Sequence, residues 1–126
     1  MIVTDIGLDW YVDTGISKDE NIDTVALGTG TSSESVNDTS LDNEEYRSDV
    51  SNDNVDISQI NNNTYEAYIE VVGGREISAG TEITEFGLFA EGNTANEVLV
   101  ARGNFSAVEL SPGIGERFRA EVSITR

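Results

Sequence analysis

Residues 117–125 read RFRAEVSIT. Phe118, Ala120, Val122 and Ile124 fall on one side of an extended chain, and Arg117, Arg119, Glu121, Ser123 and Thr125 on the other. Alternation of this kind is the period of a β-strand with one buried face and one wet face. Working backwards from it, Ser111-Pro112-Gly113-Ile114-Gly115 is turn chemistry. Before that turn, Glu97 to Ala107 sets Val98 and Val100 against Leu99 and Ala101, and EITEFGLF, residues 82–89, is a further strand. Gly87 interrupts it, where a bulge or a close backbone approach is expected.

The same period runs through residues 64–72. Tyr65, Ala67, Ile69 and Val71 alternate with Tyr68 and Val72, which gives that strand something to cover on both sides. Val55, Ile57 and Ile60 form its partner, joined to it by the Asn61-Asn62-Asn63 reversal, and Gly73-Gly74 makes the next turn. Ile22 to Gly28 reads as a strand with both faces at least partly buried, ended by Gly28 and Gly30. Thr31 to Thr39 is a polar loop, after which Asn37 or Asp38 would cap one or two helical turns through Tyr46. Leu41 and Glu45, and Asp42 and Tyr46, would then be i,i+4 neighbours. Six or seven short strands with turn signals between them predict a mainly β domain. Its architecture is expected to be an antiparallel β-sandwich, jelly-roll-like or a small barrel, with one short helix. Residues 22–126 form this domain, and residues 1–21 an N-terminal attachment arm or first strand.

At 126 residues the chain suffices for one core. It carries 24 acidic and 7 basic residues, a formal net charge of −17. Such a field repels a phosphate backbone and an anionic membrane surface, so neither nucleic acid nor membrane is an expected partner. Six of the cations are arginines (47, 75, 102, 117, 119 and 126), and Lys18 stands alone. Many carboxylates with almost no lysine is the surface of a protein working in molar salt, where the Debye length of about 3 Å screens mutual repulsion. An ordinary acidic protein at moderate salt is the alternative. No run approaches a membrane-spanning length, and Met1–Asp5 lacks the charged and apolar regions of a secretion signal.

The chemistry-bearing candidates each have a plainer explanation. Gly28-Thr29-Gly30-Thr31 opens like a phosphate loop, yet no lysine follows it and no third glycine opens a helix. A structural turn explains it better. Carboxylate neighbours such as Glu44 with Glu45, or Glu82 with Glu85, arise by chance among so many acids. With no histidine and no cysteine, thiolate and imidazole chemistry is excluded, and no catalytic, cofactor-binding or metal-binding residues are assigned. DVSNDNVD, residues 49–56, offers oxygen ligands at alternate positions but lacks the glycine and the bidentate glutamate of a calcium loop; it reads as a solvated turn. Sequons stand at Asn37, Asn62 and Asn104.

Two blocks go beyond composition. VALGTGTSSESVNDTSLDNEEYRSDV (25–50) and ISAGTEITEFGLFAEGNTANEVLVARGNFSAVEL (77–110), with a closing strand, resemble a group of small structural domains in tailed viruses of bacteria and archaea. That group occurs in tail-fibre, tail-collar and other virion-surface proteins, and Phe86 stands where it often has leucine. The resemblance spans roughly Ile22 to Thr125. It implies that Gly28 and Gly30 turn the chain, that Leu41 and Tyr46 anchor the short helix, and that Arg47 pairs with a carboxylate. It further implies a partly buried contact between Glu85 and Arg102, with Phe86, Leu88 and Phe89 in the core.

The function so implied is a non-enzymatic virion structural protein, an oligomeric surface component of the tail (fibre, collar or baseplate) or of the capsid (spike, turret or decoration). It would be a homo-oligomer contacting other virion proteins, assembled in the host cytoplasm and exposed to a high-salt medium, in keeping with a virus of a salt-loving archaeon. The competing class is a receptor- or glycan-binding module meeting a host surface through Tyr65, Tyr68, Trp10 and Tyr11. An exposed aromatic cleft would favour the module, and aromatics buried in a core or symmetric interface would favour assembly. Trp10 and Tyr11 are better explained as part of an arm packing on a neighbour.

Overall fold

The computed structural model describes residues 1–14, 22–61 and 63–124. Among them run β1 (Ile2–Val3), α1 (Asp5–Thr14), β2 (Ile22–Gly28), β3 (Glu44–Asp49), β4 (Val55–Asn61), β5 (Thr64–Val72), β6 (Glu82–Ala90), β7 (Val98–Glu109) and β8 (Gly115–Ser123). The pairings between strands are antiparallel. They build one sheet in the order β1-β7-β6-β2-β3 and a second in the order β4-β5-β8. The two sheets pack face to face as a β-sandwich.

Alternating apolar side chains account for the core. Val25 and Leu27 of β2, Phe86 and Leu88 of β6 and Ala101 of β7 meet Tyr65, Ala67, Ile69 and Val71 of β5 and Phe118 and Val122 of β8. Along β8 the expected face is the one that buries, with Ala120 only half-covered. The far side of the small sheet is wet: Tyr68 is half-buried there, under the guanidinium of Arg117 at 3.8 Å from its ring centre.

The larger sheet is covered on both faces, which is why β2 and β6 read as almost continuously apolar. Ala26, Phe89 and Leu99 form a second apolar cluster on its outer face, closed by Leu41. Gly87 sits beneath Leu41, where a Cβ would come within 2.8 Å of Leu41 Cδ2. The expected close approach is therefore there. The register irregularities of β6 fall on either side of Gly87, between Ile83 and Glu85 and between Leu88 and Phe89.

The short helix lies elsewhere than expected. Residues 38–43 are irregular, with bends at Ser40, Asp42 and Asn43, and Glu44–Asp49 is a strand whose Tyr46 and Arg47 face Leu27 and Ala26 of β2. A ladder along the edge of β2 outweighs the weak local helix preference of an Asn/Asp/Ser-rich segment, whose side chains bond to backbone instead. Leu41 is still the anchor, reached by a loop rather than a helix.

The helix is α1, within the segment read as an arm or first strand. Thr4 caps it by accepting from Gly7 N at 3.0 Å, while its hydroxyl donates to Leu99 O at 2.5 Å and its amide to Val100 O at 3.0 Å. Gly7 permits the close seat, since a Cβ there would lie 2.6 Å from Val100 Cα. Val3, Leu8, Trp10 and Tyr11 pack on the chain's own core, so within the described residues this segment belongs to the sandwich.

Candidate functional site

The two sequence blocks meet at one place, the outer face of the large sheet where the loop from Thr29 to Asn43 lies on β6 and β7. At its centre are two ionic side chains with no exposed surface, Glu85 of β6 and Arg102 of β7. Arg102 Nε donates to Glu85 Oε1 at 3.1 Å. The remaining guanidinium hydrogens are spent on the loop: Nη1 on Asp38 Oδ2 (3.0 Å) and Ser33 O (3.3 Å), Nη2 on Ser32 O (3.0 Å), with Asp42 Oδ2 at 3.5 Å.

The carboxylate of Glu85 is held as fully. Its Oε2 accepts from Gly30 N (2.8 Å) and Asn43 N (2.9 Å), and its Oε1 from Asp42 N (3.0 Å) as well as from Arg102. Three backbone amides converging on one carboxylate are an anion cradle. The glycines that suggested a phosphate loop thus do surround an anion, and the anion is the protein's own. Their reason is space: a Cβ at Gly28 would stand 2.5 Å from Glu85 Oε2, and one at Gly30 would stand 2.1 Å from Asp42 Cβ. The sharp turn expected of them is not the cause, because neither has a positive φ, unlike Gly74, Gly80 and Gly113.

Charges in such a pocket are costly to desolvate and are tolerated because every lone pair and N–H has a partner. Burial pushes the Arg102 guanidinium down, and its bonds to Asp38 and Glu85 outweigh that, so its pKa is raised. Asp42 is held below the usual carboxylate range by the Ser32 hydroxyl and amide, with the charge of Arg102 a smaller aid. Thr84 Oγ1 donating to Gly30 O (2.6 Å) and Asn104 N donating to Glu34 Oε2 (3.3 Å) complete the seam. The contact expected between Glu85 and Arg102 exists, wholly rather than partly buried. Asp38, Asp42 and the carbonyls of Ser32 and Ser33 were not anticipated as its partners.

The other singled-out residues are scattered. Arg47 pairs with Glu44 (2.8 Å) and Glu97 and lies over the Phe89 ring at 4.6 Å. Glu45 accepts from Thr29 and Asn43, while Glu82 is exposed and Glu85 buried, so neither suspected acid pair shares a reaction space. In the 49–56 turn, Asp49 accepts from Ser51, and Asn54 bonds to Ser48, Tyr46 and Glu70. Among the described residues no group of three carboxylates is disposed to hold a metal ion. No described helix is long and apolar enough to cross a membrane. Asn37 is exposed, Asn62 lies outside the described residues, and Asn104 is half-buried with its Oδ1 enclosed and unpartnered.

The aromatics do not form a platform. Tyr65 is in the core, Tyr68 donates to Asp56 Oδ2 (2.8 Å) on the far sheet, and Trp10 Nε1 donates to Glu91 Oε2 (3.1 Å) on the helix side. A cleft of about 430 Å³ opens instead between the second half of β7 and β8. Phe86, Phe105, Val108 and Phe118 line it, the rings of Phe105 and Phe118 5.8 Å apart, with Arg117 and Arg119 at its wall.

Comparison with protein-family models, with curated proteins and with solved structures finds no match to this chain.

Proposed function

We propose that this chain is a non-enzymatic structural subunit of a virion, one that self-associates and sits at the surface of a tailed virus's tail or capsid. The observation that carries this is how the residues of the two sequence blocks are used. Gly28, Gly30, Leu41, Glu85 and Arg102 are consumed by one another in a seam that clamps a long polar loop to a sheet. A motif whose central ion pair and glycines are spent on internal contacts supports a role in shape and rigidity, not in turnover or ligand capture. The acidic, lysine-poor surface supports a working medium of high salt, where carboxylates hold water and ions.

Purification in molar salt followed by light scattering, with antibody labelling of intact particles, tests it. A discrete oligomer and decorated particles are expected. A protein that is monomeric at every concentration and leaves particles unlabelled overturns it.

A further inference from the structure

The small sheet has two rims, β4 and β8; among the described residues β8 is paired with β5 on one side and has no strand on the other. Ile124 N donates to Asn63 O, and Ile114 O accepts from Gly73 N. With an unbroken register between β5 and β8, the even-numbered residues therefore turn their backbone groups toward β5. Arg117, Arg119, Glu121 and Ser123 turn theirs toward the open edge.

An open edge is a template for another strand, and charges on it decide which strand is accepted. Consider β8 meeting a second β8 antiparallel across a twofold axis. With the axis at Phe118, Arg117 opposes Arg119 of the second copy. With the axis at Arg119 or Glu121, a like charge faces itself. With the axis at Ala120, Arg119 opposes Glu121 in both directions, Arg117 opposes Ser123, and Phe118 opposes Val122. This register alone sets opposite charges across the join on the wet face and apolar side chains on the other.

The geometry points to an isologous dimer in which β8 pairs with β8 of a second copy about Ala120, making one continuous six-stranded sheet β4-β5-β8-β8-β5-β4. In this register Arg119 and Glu121 form hydrogen-bonded pairs, and Ala120 forms the central non-hydrogen-bonded pair, for about eight backbone hydrogen bonds in all. The cleft beside β8 brings apolar surface to the same join, since Phe105 and Phe118 lie on its floor next to the half-covered Ala120. The inference rests on the self-association proposed above and names the face that carries it.

The chain has no cysteine, so Ala120→Cys introduces a single thiol. In a central non-hydrogen-bonded pair the Cα atoms stand about 4.5 Å apart, within disulfide range. Mild oxidation should convert most of A120C to a covalent dimer. S123C, whose twin lies six residues along the join, about 20 Å away, should stay monomeric on a denaturing gel. A120C that does not cross-link, or S123C that cross-links equally, overturns the inference.

Charge reversal tests it without relying on A120C folding. At the lowest salt that preserves the circular dichroism of the wild type, Arg119→Glu should weaken the dimer about tenfold, and the double reversal R119E/E121R should restore it. An unchanged dissociation constant for R119E, or no restoration, also overturns it. A wild-type oligomer that survives both tests refutes only this face, whereas a wild-type monomer on unlabelled particles refutes the structural reading as well.

Discussion

Arg102 and Glu85 form an ion pair at 3.1 Å in which neither side chain reaches solvent, and each also binds the same overlying loop. The pair is thus a rivet between a sheet and a loop rather than a link within the sheet. Removing one partner leaves a buried charge, which costs about 3–5 kcal/mol. Arg102→Met should destabilise by that order in chemical denaturation. In hydrogen exchange, the amides of Gly30, Asp42 and Asn43 should lose protection before those of β5. Uniform loss across both sheets would contradict the rivet.

Gly30 and Gly80 differ in why they are glycine. At Gly30 a side chain collides with Asp42 and Glu85, whereas at Gly80 there is open space and only the φ of +88° matters. Gly80→Ala should cost about 1–2 kcal/mol, the left-handed penalty alone. Gly30→Ala should cost about 1–3 kcal/mol and also disturb the loop, as overpacking does. Thermal melts of the two variants, with exchange at the Asp42 amide, separate the mechanisms.

Leu41 is a loop residue with the energetics of a core residue. It seals Ala26, Phe89 and Leu99, and truncation to alanine leaves a cavity over Gly87. A loss of about 2–5 kcal/mol is expected for Leu41→Ala. Val36→Ala, at an exposed position of the same loop, should be nearly silent in the same denaturation series.

Acid should weaken the fold. Asp42 and Asp49 are held below their ordinary range by bonds from Ser32 and Ser51. At Glu97 burial pushes upward, and Arg47 together with the Asn93 amide outweighs it; at Glu76 burial again pushes upward, and the Val72 amide with Arg75 outweighs it. Folded values below the unfolded ones mean that the unfolded chain binds more protons in acid. The stabilisation is therefore complete above the ordinary carboxylate range and is lost as pH falls through the folded values. Melting temperature in molar potassium chloride should be flat near neutrality and fall below about pH 4. A rise on acidification would contradict it.

Salt should act in the opposite sense. A formal charge of −17 on a chain of this size repels itself, and screening removes that cost. The melting temperature should climb between 0.1 M and 2 M salt, with potassium chloride and sodium chloride alike. A flat profile would make this an ordinary acidic protein.

The strands were legible because their signal is local. TYEAYIEVV and RFRAEVSIT each alternate residue by residue, and the structure buries Tyr65, Ala67, Ile69 and Val71 of the one and Phe118, Val122 and Ile124 of the other, while the second face of the former, with Tyr68 and Val72, is only half-covered rather than buried. The helix was misplaced because its competition was not local. Nothing in DNEEYRSD states that β2 lacks a partner on that edge, whereas Thr4 before Asp5 is a local cap signal for the helix that does form. The association of Glu85 with Arg102 was expected from the resemblance. Its full burial depends on a loop folding back from Asp38 and Asp42, which spacing along a chain does not encode.

The pairing of Ile2 and Val3 with Arg102 and Ala101 joins two segments separated by most of the domain's sequence. The seat of β1 and α1 is built from β7, so neither can settle until that distant strand has formed. Closure over so long a stretch places folding on the slow, millisecond-to-second side of small domains. β1 and α1 can therefore be ordered only once β7 is in place, and the large sheet closes late in folding.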